Sequence, residues 1–180
     1  MKVSEITNNL EVKKGKNLND EWYTPKYAIS PLSEFIKPNS VIWCPFDKRD
    51  SNYVKLFEDW GHNVISSHID NGKDFFKYEP IIDYQYIISN PPFSLKNKVF
   101  DRLFKLKKPF AMLIGVVGIF ESQFRYQMFR DNDFDIMYFN KRVSFYRGMD
   151  EQEKANPPFS SVYISSGMFN DRIIFREIQK

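Results

Sequence analysis

The run Ile88-Ser89-Asn90-Pro91-Pro92-Phe93-Ser94 holds the residues with the most direct chemical meaning in this chain. Its consecutive prolines remove two backbone N–H groups and hold the chain extended, which leaves the carbonyls ahead of them free to accept from a ligand. The Asn90 amide adds an oxygen acceptor beside them, and Phe93 supplies a flat apolar face. Such a set fits a planar ring bearing an exocyclic amino group, whose two hydrogens would go to Asn90 Oδ1 and the Pro91 carbonyl. The same residues also suit a stiff strand-to-helix turn closed by an Asx hydrogen bond. A second Asn156-Pro157-Pro158-Phe159 precedes a predicted strand inside a charged loop, and on that ground is read as a decoy.

These residues need elements that bring them to one edge. Residues 41–44 and 110–116 are apolar runs without polar alternation, as expected of strands buried on both faces, and 84–89 is a further strand that ends at Asn90. Further strands are predicted at 62–68 and 134–139. Between them, apolar residues at helical spacing predict helices over 51–60, 95–107 and 120–129. The pair Thr24-Pro25 predicts a capped helix over 27–36 that Pro38 ends. Residues 141–158 read as a polar, basic segment, and 161–165 and 172–177 as two late strands able to pair as a hairpin. Strand and helix alternate, then strands dominate, so the expected fold is α/β: a mostly parallel sheet, helices on both faces and a strand-rich C-terminal end. In such a sheet ligands collect beyond the carboxyl ends of the strands, where Pro45, Phe46, Asp47, Asp70, Asn90 and Gly115 fall.

Composition narrows the partners. The 180 residues include 18 Phe and 10 Tyr, a high share; core filling accounts for most of the surplus, and an exposed remainder could stack on planar ligands. A net charge of +3 permits nucleic-acid binding without demanding it. One cysteine, Cys44, and two histidines argue against a disulfide framework or a structural zinc site. No apolar run is long enough to span a bilayer, and a cytoplasmic protein is expected. Residues 1–20 are polar and read as a flexible arm ahead of a single domain over 21–180.

The 88–94 run resembles the catalytic motif of amino-methylating DNA methyltransferases, above all the adenine-N6 family, which use S-adenosylmethionine. Three more segments resemble that family in the same order. Glu21-Trp22-Tyr23-Thr24-Pro25 is similar to an element that helps hold the methionine end of the cofactor. Asp74-Phe75-Phe76 is similar to the acidic-aromatic segment near the cofactor adenine. Asn140-Lys141-Arg142-Val143-Ser144-Phe145 is similar to the element whose aromatic residue packs on the target base. The likeness covers roughly residues 21–166 and is nearest to compact proteins of phages and prophages.

The resemblance implies a Rossmann-like methyltransferase fold, methyl transfer from S-adenosylmethionine to adenine N6 in DNA, and catalytic roles for Asn90, Pro91, Pro92 and Phe93. Tyr23, Thr24, Pro25, Pro45, Phe46, Asp47, Asp70, Asp74 and Phe75 would line the cofactor site, with Asp47 on the methionine amino group and Asp70 on the ribose. Helix capping for Asp47 and an Asp-Asn-Gly turn for Asp70 are the alternatives. Phe145 would cover the second face of a flipped base, or else belong to the core. Lys141, Arg142 and Arg147 would meet phosphates. One departure stands out: the acidic-x-x-x-Gly-x-Gly cofactor loop is absent, and Cys44-Pro45-Phe46-Asp47-Lys48-Arg49-Asp50 takes its place. With no obvious room for a target-recognition domain after residue 145, specificity should be short or relaxed unless a homodimer or another protein supplies it. Protection of phage DNA from restriction would be a use for such an enzyme. The alternatives are methylation of RNA, a free base or a protein amide, a non-catalytic nucleic-acid-binding module with a degenerate cofactor site, and an assembly scaffold.

Overall fold

A computed structural model describes residues 22–147 and 153–179, the side chains of 147 and 153–155 excepted. The arm expected at 1–20 lies outside the described residues. Seven strands form one sheet in the order β10-β6-β9-β5-β4-β2-β3, where β2 is Val41–Cys44, β3 Asn63–Ser66, β4 Tyr86–Ser89, β5 Phe110–Gly115, β6 Asp135–Phe139, β9 Ser161–Ser166 and β10 Ile173–Arg176. All neighbours are parallel except β9, which runs antiparallel to both β5 and β6.

Side-chain alternation along these strands makes two cores. Ile42, Cys44, Ile88, Ala111, Leu113, Met137 and Tyr163 point to one face, where they meet Ala28, Ile29, Tyr53, Val54 and Phe57. Trp43, Ile87, Met112, Ile114, Ile136, Val162 and Ile164 point to the other and meet Val99, Phe100, Leu103 and Phe129. The first face is therefore covered by α1, Lys26–Ile29, and α2, Asn52–Asp59, and the second by α3, Lys96–Leu106, and α4, Gln123–Arg130. Both cores need the continuous apolar runs that the sequence shows, because a strand with helices on each side has no solvent face.

The local chemistry of α2 is representative. Ser51 sits extended at its N-cap and its hydroxyl accepts from the Val54 N–H, and Gly61 follows its end at φ 85. Tyr53, Val54 and Phe57 lie on its inner face, each contributing roughly 1.5–3 kcal/mol by leaving water. The expected helix over 27–36 differs. Only α1 is α-helical, and Ser30–Phe35 continues as a tighter 3₁₀ helix. Pro31 has no N–H to give the carbonyl four residues back, and the chain tightens around it. Pro25, not Thr24, holds the N-cap position, with no side-chain cap.

The late hairpin does not form. Instead β9 fills the space between β5 and β6 over its whole length, and β10 pairs in parallel with the far side of β6. Burial explains the choice: Ser161, Val162, Tyr163, Ile164 and Ser165 are all buried, which suits a central strand. In β10 only Ile174 is buried, and the strand sits at an edge. The polar segment after β6 also holds structure. Phe145–Arg147 forms β7, which pairs antiparallel with β1, Trp22–Tyr23, and with β8, Glu153–Ala155.

Candidate functional site

The carboxyl ends of β2, β3, β4 and β5 open at one edge of the sheet, and most of the residues singled out from the sequence gather there. After β4 the chain passes through Asn90 and two prolines into a 3₁₀ turn, Phe93–Leu95, that runs directly into α3. Pro91 is buried and Pro92 exposed. Asn90 Oδ1 is buried, and among the described residues nothing hydrogen-bonds to it. A buried amide oxygen left without a donor costs about 1–3 kcal/mol, and its place beside the two prolines suits an acceptor whose partner comes from outside the chain.

Asp47 lies beneath this turn. Its carboxylate accepts from the Ser89 hydroxyl, the Ser89 oxygen accepts from the Phe46 N–H at 3.3 Å, and Ser51 supplies a second side-chain hydrogen bond. The loop after β2 is thereby bolted to the last residue of β4. Asp47 does not cap α2, since Ser51 does. Burial pushes the Asp47 carboxyl up to about 6, against the opposing pull of Ser89 and Ser51. A folded-state value above the unfolded one means that stability is fully present below about pH 4 and is lost as pH rises through 6. At roughly 1.4 kcal/mol per unit, the swing is about 3 kcal/mol. Asp47→Asn is expected to flatten that part of the stability curve, and urea midpoints across pH 4–7 for both proteins check it: parallel curves would contradict the assignment.

The second-strand side of the edge is more open. Asp70 is about half exposed, and its carboxylate pairs with Lys48 Nζ at 2.8 Å, joining the loops after β2 and β3. Asp70 also sits in the predicted turn, a single 3₁₀ turn ended by Gly72 at φ 72. Asp74 Oδ1 accepts from the Phe76 N–H at 3.0 Å and borders an open cleft of about 500 Å³ lined by Ile69, Gly72, Asp74, Lys77 and Tyr78. Phe75 points away from this cleft. It is 2% exposed and packs against Trp43, Phe46 and the Arg102 guanidinium, so it props Phe46 rather than facing a ligand.

The Tyr23-Thr24-Pro25 element reaches the same edge from far away in sequence. Asn52 Nδ2 holds the Thr24 carbonyl at 2.9 Å, and β1 pairs Tyr23 with Tyr146. Tyr27 adds its hydroxyl, which accepts from the Ser144 N–H at 2.9 Å. Pro45 is buried at the end of β2. Lys141 and Arg142 are exposed, and the side chain of Arg147 lies outside the described residues. Asn140 turns the other way, since its Oδ1 accepts from the Ile178 N–H.

Around Phe93 the arrangement differs from expectation. Phe145 is 4% exposed within the first core and meets Phe93 edge to face, centroids 6.5 Å apart at 75°. A base between two parallel rings needs about 7 Å, given carbon contacts of roughly 3.5 Å on each side, so these two rings as placed leave no slot. Phe159 of the second Asn-Pro-Pro-Phe also lies on Phe93, at 5.8 Å and 63°, and is half-buried. That tetrapeptide is thus no remote decoy. It precedes a strand, but that strand is antiparallel, so its start lies where the parallel strands end. The duplicated motif was the signal available in the sequence.

Lys96 and Arg125 brace the same corner. Lys96 Nζ sits 5.9 Å from the Phe93 ring centroid and donates to the Val117 carbonyl, while Arg125 Nε donates to the Ile119 carbonyl at 2.8 Å and its guanidinium also holds Gly118. Together they fix the loop after β5 beside the 90–93 turn. Burial, and Arg125 nearby, lower the Lys96 ammonium from its usual range.

No family model matches the chain, and no curated protein does. Among solved structures it is similar to a modification subunit of a putative type I restriction enzyme from Vibrio vulnificus, with a TM-score of 0.56 and 11% identity over 98% of this chain and 50% of that one. It is also similar to a type I restriction-modification methyltransferase subunit from Streptococcus thermophilus, with a TM-score of 0.45 and 11% identity over 87% of this chain and 47% of that one. A putative RNA methyltransferase from Pyrococcus horikoshii gives 0.44 and 13% over 92% and 96%. The chain spans about half the length of the two restriction-system subunits. The chain shares with the Vibrio vulnificus subunit a Rossmann-like α/β fold, a mostly parallel sheet between helices. Among the described residues, no helix is long and apolar enough to cross a membrane.

Proposed function

We propose that this chain transfers a methyl group from S-adenosylmethionine to the N6 amino group of adenine in DNA. The observation that carries this reading is the buried, unpartnered Asn90 Oδ1 beside two prolines at the end of a central strand of this fold. An amino group entering there gives one hydrogen to Asn90 Oδ1 and the other to the Pro91 carbonyl, which directs its nitrogen lone pair out of the hydrogen-bonding plane. Phe93 supports the ring, and Lys141 and Arg142, both exposed, offer charge to phosphates. S-adenosylmethionine, when bound, supplies a sulfonium-borne methyl that the nitrogen takes as the carbon–sulfur bond breaks and its electron pair returns to sulfur. No side chain need form a covalent bond, and the proton displaced from nitrogen leaves to water. Positioning does most of the work.

The residues around the cleft suit the cofactor in part. Tyr23, Thr24, Pro25, Phe46 and Asp74 approach the same edge, and Asp70 presents a half-exposed carboxylate where ribose hydroxyls would lie. Asp47 is the exception. Its buried carboxylate already accepts from Ser89 and Ser51, which supports a role in holding the Asn90 turn and gives a cofactor-deficient binding module its specific support.

Transfer of labelled methyl to unmethylated double-stranded DNA, with nucleoside analysis of the product, tests the reading. N6-methyladenine is the expected product. No transfer from folded protein across varied DNA, joined with no heat of cofactor binding in calorimetry, would shift the reading to the binding module.

A further inference from the structure

We propose that Phe159 is a base-contacting residue, and that the two Asn-Pro-Pro-Phe segments converge to present Phe93 and Phe159 as neighbouring walls of one pocket for a nucleobase. This rests on the methyltransferase reading for the identity of the base, but not for the existence of the pocket.

Three features place Phe159 there by construction. The antiparallel β9 pairs Ser161 with Gly115, and the Val116 N–H donates to the Ser160 carbonyl at 3.0 Å, so the residue just before β9 is held at the carboxyl end of β5. Gly115 leaves room for it: a Cβ on that residue would stand 2.6 and 2.8 Å from Phe159 ring carbons and 3.2 Å from Phe93. The second tetrapeptide is also fastened to the segment that carries Phe145, since the Ser144 hydroxyl donates to Asn156 Oδ1 at 2.6 Å.

Exposure separates the rings. Phe145 is closed into the core, whereas Phe93 and Phe159 each keep part of their surface open to solvent. An aromatic ring that keeps part of its face open beside a buried amide acceptor without a described partner is suited to the flat face of a base. Phe145 then acts behind Phe93 as its support. The base enters against Phe93 and Phe159, and Asn90 reads its amino edge.

The test compares wild type with Phe159→Ala, Phe159→Leu and Phe159→Trp. Losing one base–aromatic stack should reduce kcat/KM for DNA methylation about tenfold to a hundredfold in both Ala and Leu variants, with Trp retaining most of the rate. Cofactor affinity by calorimetry should stay unchanged in all three. Rescue by leucine, which restores bulk without a π face, overturns the proposal, as does a Phe159→Ala enzyme within twofold of wild type or a loss of cofactor affinity. If wild type transfers no methyl, the functional reading fails separately. The pocket is then judged by binding of a labelled oligo-dA strand against an abasic strand of equal length. Preference for oligo-dA that Phe159→Ala abolishes supports the pocket, and equal affinity of wild type for both strands overturns it.

Discussion

Asn90→Ala is expected to lower methyl transfer about 10²- to 10³-fold, the usual cost of losing one positioned hydrogen-bonding group at a reacting centre. The stability readout makes this informative. Asn90 Oδ1 is buried without a donor among the described residues, so its removal breaks no described hydrogen bond of that oxygen and relieves an unsatisfied acceptor. Urea midpoints for Asn90→Ala should therefore match wild type or exceed it slightly, while labelled methyl transfer to DNA collapses. A residue that merely shaped the strand-to-helix turn would show the reverse pattern, with stability falling and activity per folded molecule preserved. An Asn90→Ala protein retaining more than about a tenth of the wild-type rate would be incompatible with Asn90 orienting the amino group, since that loss is under 1.4 kcal/mol of transition-state stabilisation.

Gly115→Ala is the second large effect expected. Gly115 has no left-handed backbone to protect, so its constraint is purely spatial: the new methyl group would meet Phe159 at 2.6 Å and Phe93 at 3.2 Å. Phe159 is half-buried at the end of a loop and can swing outward, whereas Phe93 begins the turn into α3 and is backed by Phe145. The ring of Phe159 should yield, at an overpacking cost of about 1–3 kcal/mol. Activity should fall to the level of Phe159→Ala. In the double variant Gly115→Ala with Phe159→Ala the clash with Phe159 is gone and only the milder 3.2 Å approach to Phe93 remains, so the urea midpoint should largely recover while methyl transfer does not. Additive losses of stability in the double variant would show that the two residues do not meet.

The parallel part of the fold was legible because its signal is local. Runs such as 41–44 and 110–115 have no polar alternation, and only a strand covered on both faces explains that. The antiparallel strand was not legible in its placement. Ser161–Ser166 reads as a strand from composition, but whether it pairs with β10 or enters between β5 and β6 depends on which gap the other strands leave, a property of the whole sheet. That single uncertainty hid Phe159, whose location follows from strand direction. The Asn90 turn was readable because two prolines fix its backbone in any context. Asp47 could be placed at the edge by its position after β2, but its partner could not be read, since Ser89 lies 42 residues away and only the pairing of β2 with β4 brings the two together. Likewise Phe75 and Phe145 carry no local mark that distinguishes a ring buried beneath a site from a ring that lines it.

The inserted position of β9 also governs how the chain can reach its native state. β5 and β6 leave the ribosome well before residues 161–166, yet they do not pair with each other: each offers β9 an edge of backbone groups. Until that segment arrives, two apolar strand edges face an empty lane in the middle of the sheet, the kind of template on which chains misassociate. Pairing of β9 therefore closes the middle of the sheet and, in the same event, brings Phe159 beside Phe93 and Gly115. A chain whose β9 does not pair should expose both edges and misplace Phe159 at once, so aggregation and disturbance of the Asn90 edge would go together.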